Sequence, residues 1–81
     1  MIRVKLREAM DQYRTRTGER LTYEKLSELS GVARPTLEAI GSRHDYNPTL
    51  ATVEKICRVL GTSVSELLEM PSESDDAEAG R

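Results

Sequence analysis

Hydrophobic residues recur every three or four positions along most of the chain, which predicts short amphipathic helices. In the first segment Leu6, Ala9, Met10 and Tyr13 share one helical face, and Gly18 follows as a left-handed stop. Similar runs, bounded by glycines or polar clusters, come later in the chain. The pattern predicts five helices, over about residues 3–17, 22–30, 33–41, 49–60 and 63–70.

The first residues also fit a second interpretation. Ile2, Val4 and Leu6 alternate with Arg3 and Lys5, and a period of two is typical of a short edge strand. Both interpretations stay open at this point. If the segment is a strand, we expect it to pair with the chain around residues 68–70.

Capping residues mark the helix boundaries. Thr22 is placed to cap the second helix, and Gly31 is placed to supply the positive φ of a tight turn after it. Gly41 is expected to end the third helix. Ser63 and Glu66 have the spacing of a capping box, which predicts the start of the fifth helix.

The apolar positions predict a shared core for the second and third helices, with one residue from the turn between them. We expect this core to contain Leu26, Leu29, Val32, Leu37 and Ile40, joined by Leu50, Val53, Ile56, Cys57 and Leu60 from the fourth helix and Leu67 and Leu68 from the fifth. In such packing we expect the second and third helices to cross at a steep angle and one face of the third helix to stay exposed to solvent. A helix presented in this way fits the major groove of DNA.

Length and composition predict one small all-helical domain over residues 1–70. The chain has 81 residues, of which 37% are hydrophobic, with no Trp and no Phe. No apolar run approaches the roughly 20 residues that cross a bilayer, so we expect no membrane span. The first ten residues lack the features of a signal peptide, and we expect a cytoplasmic protein.

The residues that carry catalysis are scarce. Cys57 is the only cysteine and His44 the only histidine, which argues against a disulfide, a multi-cysteine zinc site and a histidine-based catalytic group. The chain also has no phosphate-binding glycine motif. We therefore expect no enzyme, no cofactor and no metal, and we expect Cys57 to be a packing residue.

The charge of −2 is concentrated at the C-terminus. Residues 1–70 have a net charge of +1, and residues 71–81 have −3. The last segment holds little that could be buried, so we expect a disordered acidic tail over residues 71–81. A nearly neutral domain can bind DNA if its basic groups share one face.

Two ordered stretches of the chain resemble the Xre, or lambda-repressor-like, helix-turn-helix family. They are LTYEKLSELSGVARPTLEAIGSR and NPTLATVEKICRVLGTSVSELL, with a Gly-Val turn, a Thr-Leu third helix and a Leu-Gly-x-Ser-x-x-Glu-Leu-Leu close. The resemblance implies a five-helix DNA-binding bundle with a helix-turn-helix over about residues 22–41. It also implies a homodimer whose third helices read two half-sites of double-stranded DNA.

The third helix and its flanks hold the candidate DNA-binding residues. Arg34, Thr36, Glu38 and Ser42 are expected on the side opposite Leu37 and Ile40. Arg34 and Thr36 are candidates for groove contacts, whereas Glu38 can accept a hydrogen bond from cytosine or repel phosphate. The full set is Thr22, Tyr23, Arg34, Pro35, Thr36, Glu38, Ser42, Arg43 and His44.

Some of these residues have a competing structural interpretation. Pro35 fits the start of a helix, because the N–H that it lacks would be unpaired there, and it could also touch a thymine methyl. His44 could clamp the DNA backbone or be a plain loop residue. Tyr23 is expected to contact phosphate rather than the core, since Leu26 and Leu29 mark the buried side. For Arg14, Arg16 and Arg20 solubility is favoured over steering of DNA.

The main hypothesis is a sequence-specific transcriptional regulator, usually a repressor by analogy with the family. An antitoxin or a restriction-modification controller with the same domain is the first alternative. The second is a protein-interaction module that has lost DNA binding, which Glu38 and Ala39 in the third helix and the acidic balance slightly favour.

Overall fold

Five helices and two very short strands make up the structure, a computed structural model that describes residues 2–43 and 45–70. In chain order the elements are β1 (Arg3–Val4), α1 (Leu6–Thr17), α2 (Tyr23–Ser30), α3 (Arg34–Ser42), α4 (Leu50–Leu60), α5 (Val64–Leu67) and β2 (Leu68–Glu69). The five predicted helices are confirmed. The acidic tail predicted for residues 71–81 lies outside the described residues, and so does His44.

The strand interpretation of the N-terminus is the correct one. β1 pairs antiparallel with β2, with Arg3 opposite Glu69 and Val4 opposite Leu68. The backbone N–H of Lys5 extends this pairing by donating to the carbonyl oxygen of Leu67 at 2.7 Å. The first helix therefore begins at Leu6 rather than near residue 3, and the fifth helix ends at Leu67 rather than near residue 70, because the flanking residues satisfy their backbone groups in the sheet.

Side chains cap α2 and α5 as the sequence predicts. The hydroxyl of Thr22 accepts from the backbone N–H of Lys25 at 3.1 Å, and Gly31 has a φ of 80° at the end of α2. Ser63 and Glu66 form both hydrogen bonds of the capping box at the start of α5. These bonds satisfy N–H groups that have no partner inside a helix.

The core is built from apolar side chains of all five helices and both connections around α2. Its buried members are Leu6, Ala9, Leu21, Leu26, Val32, Leu37, Ile40, Val53, Ile56, Leu60 and Leu67. The small shared core predicted for α2 and α3 is confirmed for four of its five residues. Cys57 and Leu68 pack against the core but stay half-buried.

Two leucines predicted in the core lie on the surface. Leu29 is 52% exposed, because the buried and half-buried residues of α2 (Tyr23, Leu26, Ser27 and Ser30) share a side whose centre, at 100° per residue, lies roughly 110° from Leu29. Leu50 is 80% exposed. Leu50 is on the same side of α4 as Val53, the first buried residue of that helix. It precedes Val53 by about one turn, at the start of the helix, and therefore lies outside the core.

Candidate nucleic-acid interface

The turn between α2 and α3 is held by a chain of local hydrogen bonds. The hydroxyl of Ser30 donates to the carbonyl oxygen of Leu26 at 2.6 Å and accepts from the backbone N–H of Val32 at 3.1 Å. Val32 itself is buried, 6% exposed, between the two helices. The turn is thus fixed by a polar network on one side and by the core on the other, so α3 has a defined orientation relative to α2.

α3 is anchored by one face and exposed on the opposite one. Leu37 and Ile40 are buried, while Arg34, Pro35, Glu38 and Ser42 are exposed in the described part of the chain. Of the residues predicted on the side opposite Leu37 and Ile40, Arg34, Glu38 and Ser42 lie there, and Pro35 lies beside them. Thr36 does not lie with them: it is half-buried, because it is four residues before Ile40 and therefore on nearly the same side of the helix.

Arg34 and Glu38 form an ion pair along the exposed side of α3. The Nε of Arg34 donates to Oε2 of Glu38 at 3.0 Å, and both side chains stay at least half exposed. Such a pair contributes only about 0.3–0.5 kcal/mol to stability. Its geometric effect is larger, because it engages Nε and leaves four N–H groups on the terminal nitrogens of Arg34 for other partners.

Tyr23 packs against the last turn of α3. Its hydroxyl occupies the space that a Cβ atom on Gly41 would take, and its ring carbon Cζ lies 3.1 Å from that position. Gly41 was predicted to end the third helix, but it lies within α3, which ends at Ser42. A larger residue at position 41 would overlap the Tyr23 side chain. Tyr23 was expected to contact phosphate rather than the core, but it is half-buried and its ring packs against the core, whereas Leu29, which was expected on the buried side, is exposed.

The comparisons agree with this geometry. The family model of the Cro/C1-type HTH DNA-binding domain matches residues 5–73. The chain belongs to the Cro/C1-type HTH DNA-binding domain family. The comparison with curated proteins found no significant match. The resemblance to the lambda-repressor-like family is thus confirmed, and this Cro/C1-type domain is a DNA-binding module in which α2 and α3 form the helix-turn-helix.

The remaining candidates flank the helix-turn-helix of this Cro/C1-type domain. Thr22 caps α2 by accepting a hydrogen bond from the backbone N–H of Lys25. Because the hydroxyl is the acceptor in this bond, its own hydrogen can still be donated to another group. Arg43 follows α3, with Nε 3.7 Å from Oδ1 of Asp45 and its guanidinium carbon 6.0 Å from the ring centre of Tyr46. The hydroxyl of Ser42 donates to the carbonyl oxygen of Glu38 at 2.7 Å. The contact predicted for His44 lies outside the described residues.

Arg16 has a structural role in the Cro/C1-type domain that the sequence analysis missed. Its Nη2 donates to the carbonyl oxygen of Leu60 at 2.6 Å, and its guanidinium carbon lies 5.6 Å from the ring centre of Tyr13. It thus satisfies a carbonyl at the C-terminus of α4, where a cation is also favoured by the helix dipole. No sequence signal connects these residues, which are 44 positions apart.

Within residues 2–43 and 45–70, no group of three His, Cys, Asp or Glu side chains is placed to hold a metal ion. No helix in that part of the chain is long and apolar enough to cross a membrane. Burial raises the pKa of the Cys57 thiol above its ordinary value, which disfavours the reactive thiolate and agrees with a packing role.

Proposed function

We propose that this chain is a sequence-specific transcriptional regulator, acting as a repressor in the cytoplasm, that inserts α3 into the major groove of double-stranded DNA. One observation carries the proposal. Leu37 and Ile40 anchor α3 in the core, and the opposite side of the helix presents the Arg34–Glu38 pair to solvent. A protein that occupies its operator in this way blocks other proteins from the same groove.

Arg34 is the residue proposed to read a base. Arginine recognises guanine through two N–H groups that meet O6 and N7, and the bond from Nε to Glu38 leaves the terminal nitrogens for this purpose. Glu38 then has a positioning role, since it limits the rotamers of Arg34 before DNA binds. Pro35, Glu38 and Ser42 complete the surface that faces the groove, while Thr22, Tyr23, Arg43 and His44 are proposed to meet the backbone.

The proposed regulator acts as a homodimer. A single module buries only about 600–1,000 Å² on DNA, which is small for selective binding, and paired domains read half-sites about one helical turn apart. Residues 3–4 and 68–69 are already paired within one copy, as β1 and β2. The surface proposed instead is the apolar groove between α4 and the start of α5, lined by Leu50, Val53, Cys57 and Val64.

The charges beside this groove fit a second copy of the same chain. Glu54 and Arg58 line it one turn apart, with Nη2 of Arg58 2.8 Å from Oε2 of Glu54. If two antiparallel α4 helices are related by a two-fold axis that passes midway between Glu54 and Arg58, Glu54 of one subunit lies near Arg58 of the partner subunit. Such self-complementarity is what an interface with two-fold symmetry requires.

Selection of duplexes from a random pool, followed by titration of the selected duplex, tests the proposal. We expect selection of two related half-sites, and we expect Arg34→Ala to cost about 1–3 kcal/mol and to relax the preference at one position of each half-site. Lys55→Ala, which removes an exposed charge on α4, is the matched control and keeps the preference unchanged. An unaltered preference in Arg34→Ala would remove Arg34 from the base-reading role.

The same titration separates the regulator from a protein-interaction module. A regulator binds random duplex at low salt and loses affinity steeply as the salt concentration rises, because bound counterions are released from DNA. Absence of binding to any duplex at low salt contradicts the proposed function and favours the interaction module.

A further inference from the structure

Five arginines surround two clefts on the side of the molecule where α1 meets the helix-turn-helix. The first cleft, of about 270 Å³, lies between β1, the start of α1 and the end of α3, and Arg3, Arg7 and Arg43 line it. The second, of about 410 Å³, lies between α1 and the start of α2, and Arg7, Arg14 and Arg20 line it. We call these five residues the arginine strip.

Arg7 and Tyr23 join the two clefts into one surface. Arg7 lines both clefts, whereas Tyr23 lines the second and places its hydroxyl against Gly41, which lines the first. The strip therefore runs past the start of α2 and reaches the end of α3. It borders the same two elements that form the candidate nucleic-acid interface.

Four of the five arginines of the strip form no ion pair with the described residues. Arg34 and Arg58 are paired with glutamates, and Arg16 donates to a backbone carbonyl. In the described part of the chain, Arg3, Arg7, Arg14 and Arg20 form no ion pair, and Arg43 has only the long contact with Asp45. Glu8 and Asp11 line the clefts, Asp45 lies beside Arg43, and Glu69 lies opposite Arg3 in the sheet, so five arginines share the strip with four carboxylates.

The spacing along α1 suits a regular polyanion. Arg7 and Arg14 are seven residues apart, which places them on one side of the helix about 10 Å from each other. One strand of B-DNA carries a charge for about every 3.4 Å of its axis, so two arginines at this distance can contact phosphates of the same strand. Repulsion among the arginines is relieved when such a strand lies beside them.

We propose that the arginine strip binds the backbone phosphates of the DNA strand that borders the groove entered by α3. This inference rests on the proposed function and assigns α1 and β1 to the DNA interface, with Arg3, Arg7 and Arg14 as phosphate contacts. These contacts are independent of base sequence, since phosphates are the same at every step. They supply affinity and register, while Arg34 supplies the preference for a base.

The salt dependence of binding tests the strip one residue at a time. The variants are Arg3→Gln, Arg7→Gln and Arg14→Gln, each titrated with the selected duplex and with a random duplex at several salt concentrations. Each lost phosphate contact lowers the slope of log affinity against log salt by about 0.9, which is about an eightfold loss at 0.1 M salt when the affinity extrapolated to 1 M is unchanged. The loss is expected to be equal for both duplexes, and the selected base sequence is expected not to change.

Two further variants make the outcome specific. Lys55→Gln removes a charge from the exposed side of α4 and is expected to keep the slope of the unmodified protein. Arg7→Lys keeps the charge and is expected to restore the slope, which a merely structural role of the guanidinium would not do. Arg7 is exposed, so neither substitution at this position removes a core contact.

The possible failures can be told apart. If the unmodified protein binds no duplex at low salt, the proposed function fails and this inference fails with it. If the unmodified protein binds duplex but the three glutamine variants keep its slope, the arginine strip is not part of the interface and only this inference is overturned.

Discussion

The contact between Tyr23 and Gly41 shows how one residue can decide a neighbour's identity. A glycine inside a helix costs about 0.5–1 kcal/mol relative to alanine, so Gly41 weakens α3 by its intrinsic propensity. The tyrosine hydroxyl occupies the space of the missing Cβ, and this close approach couples the start of α2 to the end of α3. The two ends of the helix-turn-helix are thereby held in register by one side chain.

We expect Gly41→Ala to destabilise the protein by about 1–3 kcal/mol, because the new methyl group overlaps Tyr23. In a Tyr23→Ala background the same substitution meets no obstacle and is expected to stabilise by about 0.5–1 kcal/mol. Urea denaturation of the four proteins of this cycle measures both values. An equal effect of Gly41→Ala in the two backgrounds would show that the contact does not constrain this position.

Among the elements, α5 depends most on its cap, since its four residues are too few to form a stable helix alone. The carboxylate of Glu66 accepts from the backbone N–H of Ser63 at 3.2 Å and from the hydroxyl of Thr62 at 3.0 Å. These bonds hold the pKa of Glu66 below its ordinary value, and the bond from the backbone N–H of Ser63 has the largest effect. α5 in turn supplies Leu67 to the core and leads directly into β2, so its cap supports the pairing with β1.

The stability that the ionised Glu66 contributes is expected to depend on pH. Because its folded-state pKa is lowered, the contribution is present above the ordinary glutamate pKa of about 4.3 and is lost as the pH falls through the lower folded-state value. Glu66→Gln is therefore expected to be less stable than the unmodified protein at pH 7, with the difference shrinking below about pH 4. Thermal unfolding from pH 3 to pH 7 measures it.

Glu19→Gln, in the exposed connection between α1 and α2, is the control for removal of one carboxylate. The pH dependence of its difference from the unmodified protein is expected to be smaller than that of Glu66→Gln. A difference for Glu66→Gln that stays constant from pH 3 to pH 7 would contradict the role of the carboxylate charge in the cap.

At the scale of the whole molecule, exposed apolar residues are found on more than one face. Leu50 and Val64 flank the groove between α4 and α5, whereas Leu29 lies on α2, and each is more than half exposed. Ile2 and Met70, which flank the paired strands β1 and β2, are also more than half exposed, so exposed apolar side chains occur in three places on the described residues. The groove combines apolar lining with the self-complementary charges of Glu54 and Arg58.

Leu50→Glu is expected to weaken the proposed dimer at least tenfold, because it places a charge in an apolar interface. Sedimentation over a range of protein concentrations measures this change. Leu29→Glu introduces the same charge on a different face and is expected to leave the association unchanged. Equal weakening by both substitutions would indicate a general effect of charge, and a monomer at all concentrations would contradict the dimer.

Local patterns in the sequence determined much of this molecule. The five helices, the N-cap at Thr22, the capping box of Ser63 and Glu66 and the turn at Gly31 depend on residues within a few positions of each other. The burial of Leu37 and Ile40, and with it the exposure of Arg34 and Glu38, follows from the helical period. The candidate base-reading face was therefore accessible from the sequence.

Tertiary structure alone decided the features that join distant positions. The pairing of β1 with β2 decided that the N-terminal residues form a strand, and it shortened the first and fifth helices relative to the prediction. The hydrogen bond from Arg16 to the carbonyl oxygen of Leu60 gives Arg16 a structural role that the sequence does not indicate. Leu29 was wrongly predicted to be buried because the apolar residues of an eight-residue helix can be grouped into more than one face. The elements that pack against α2 determine which of these faces is buried. The arginine strip arises in the same way, since it assembles residues from four segments whose approach depends on how the whole core packs.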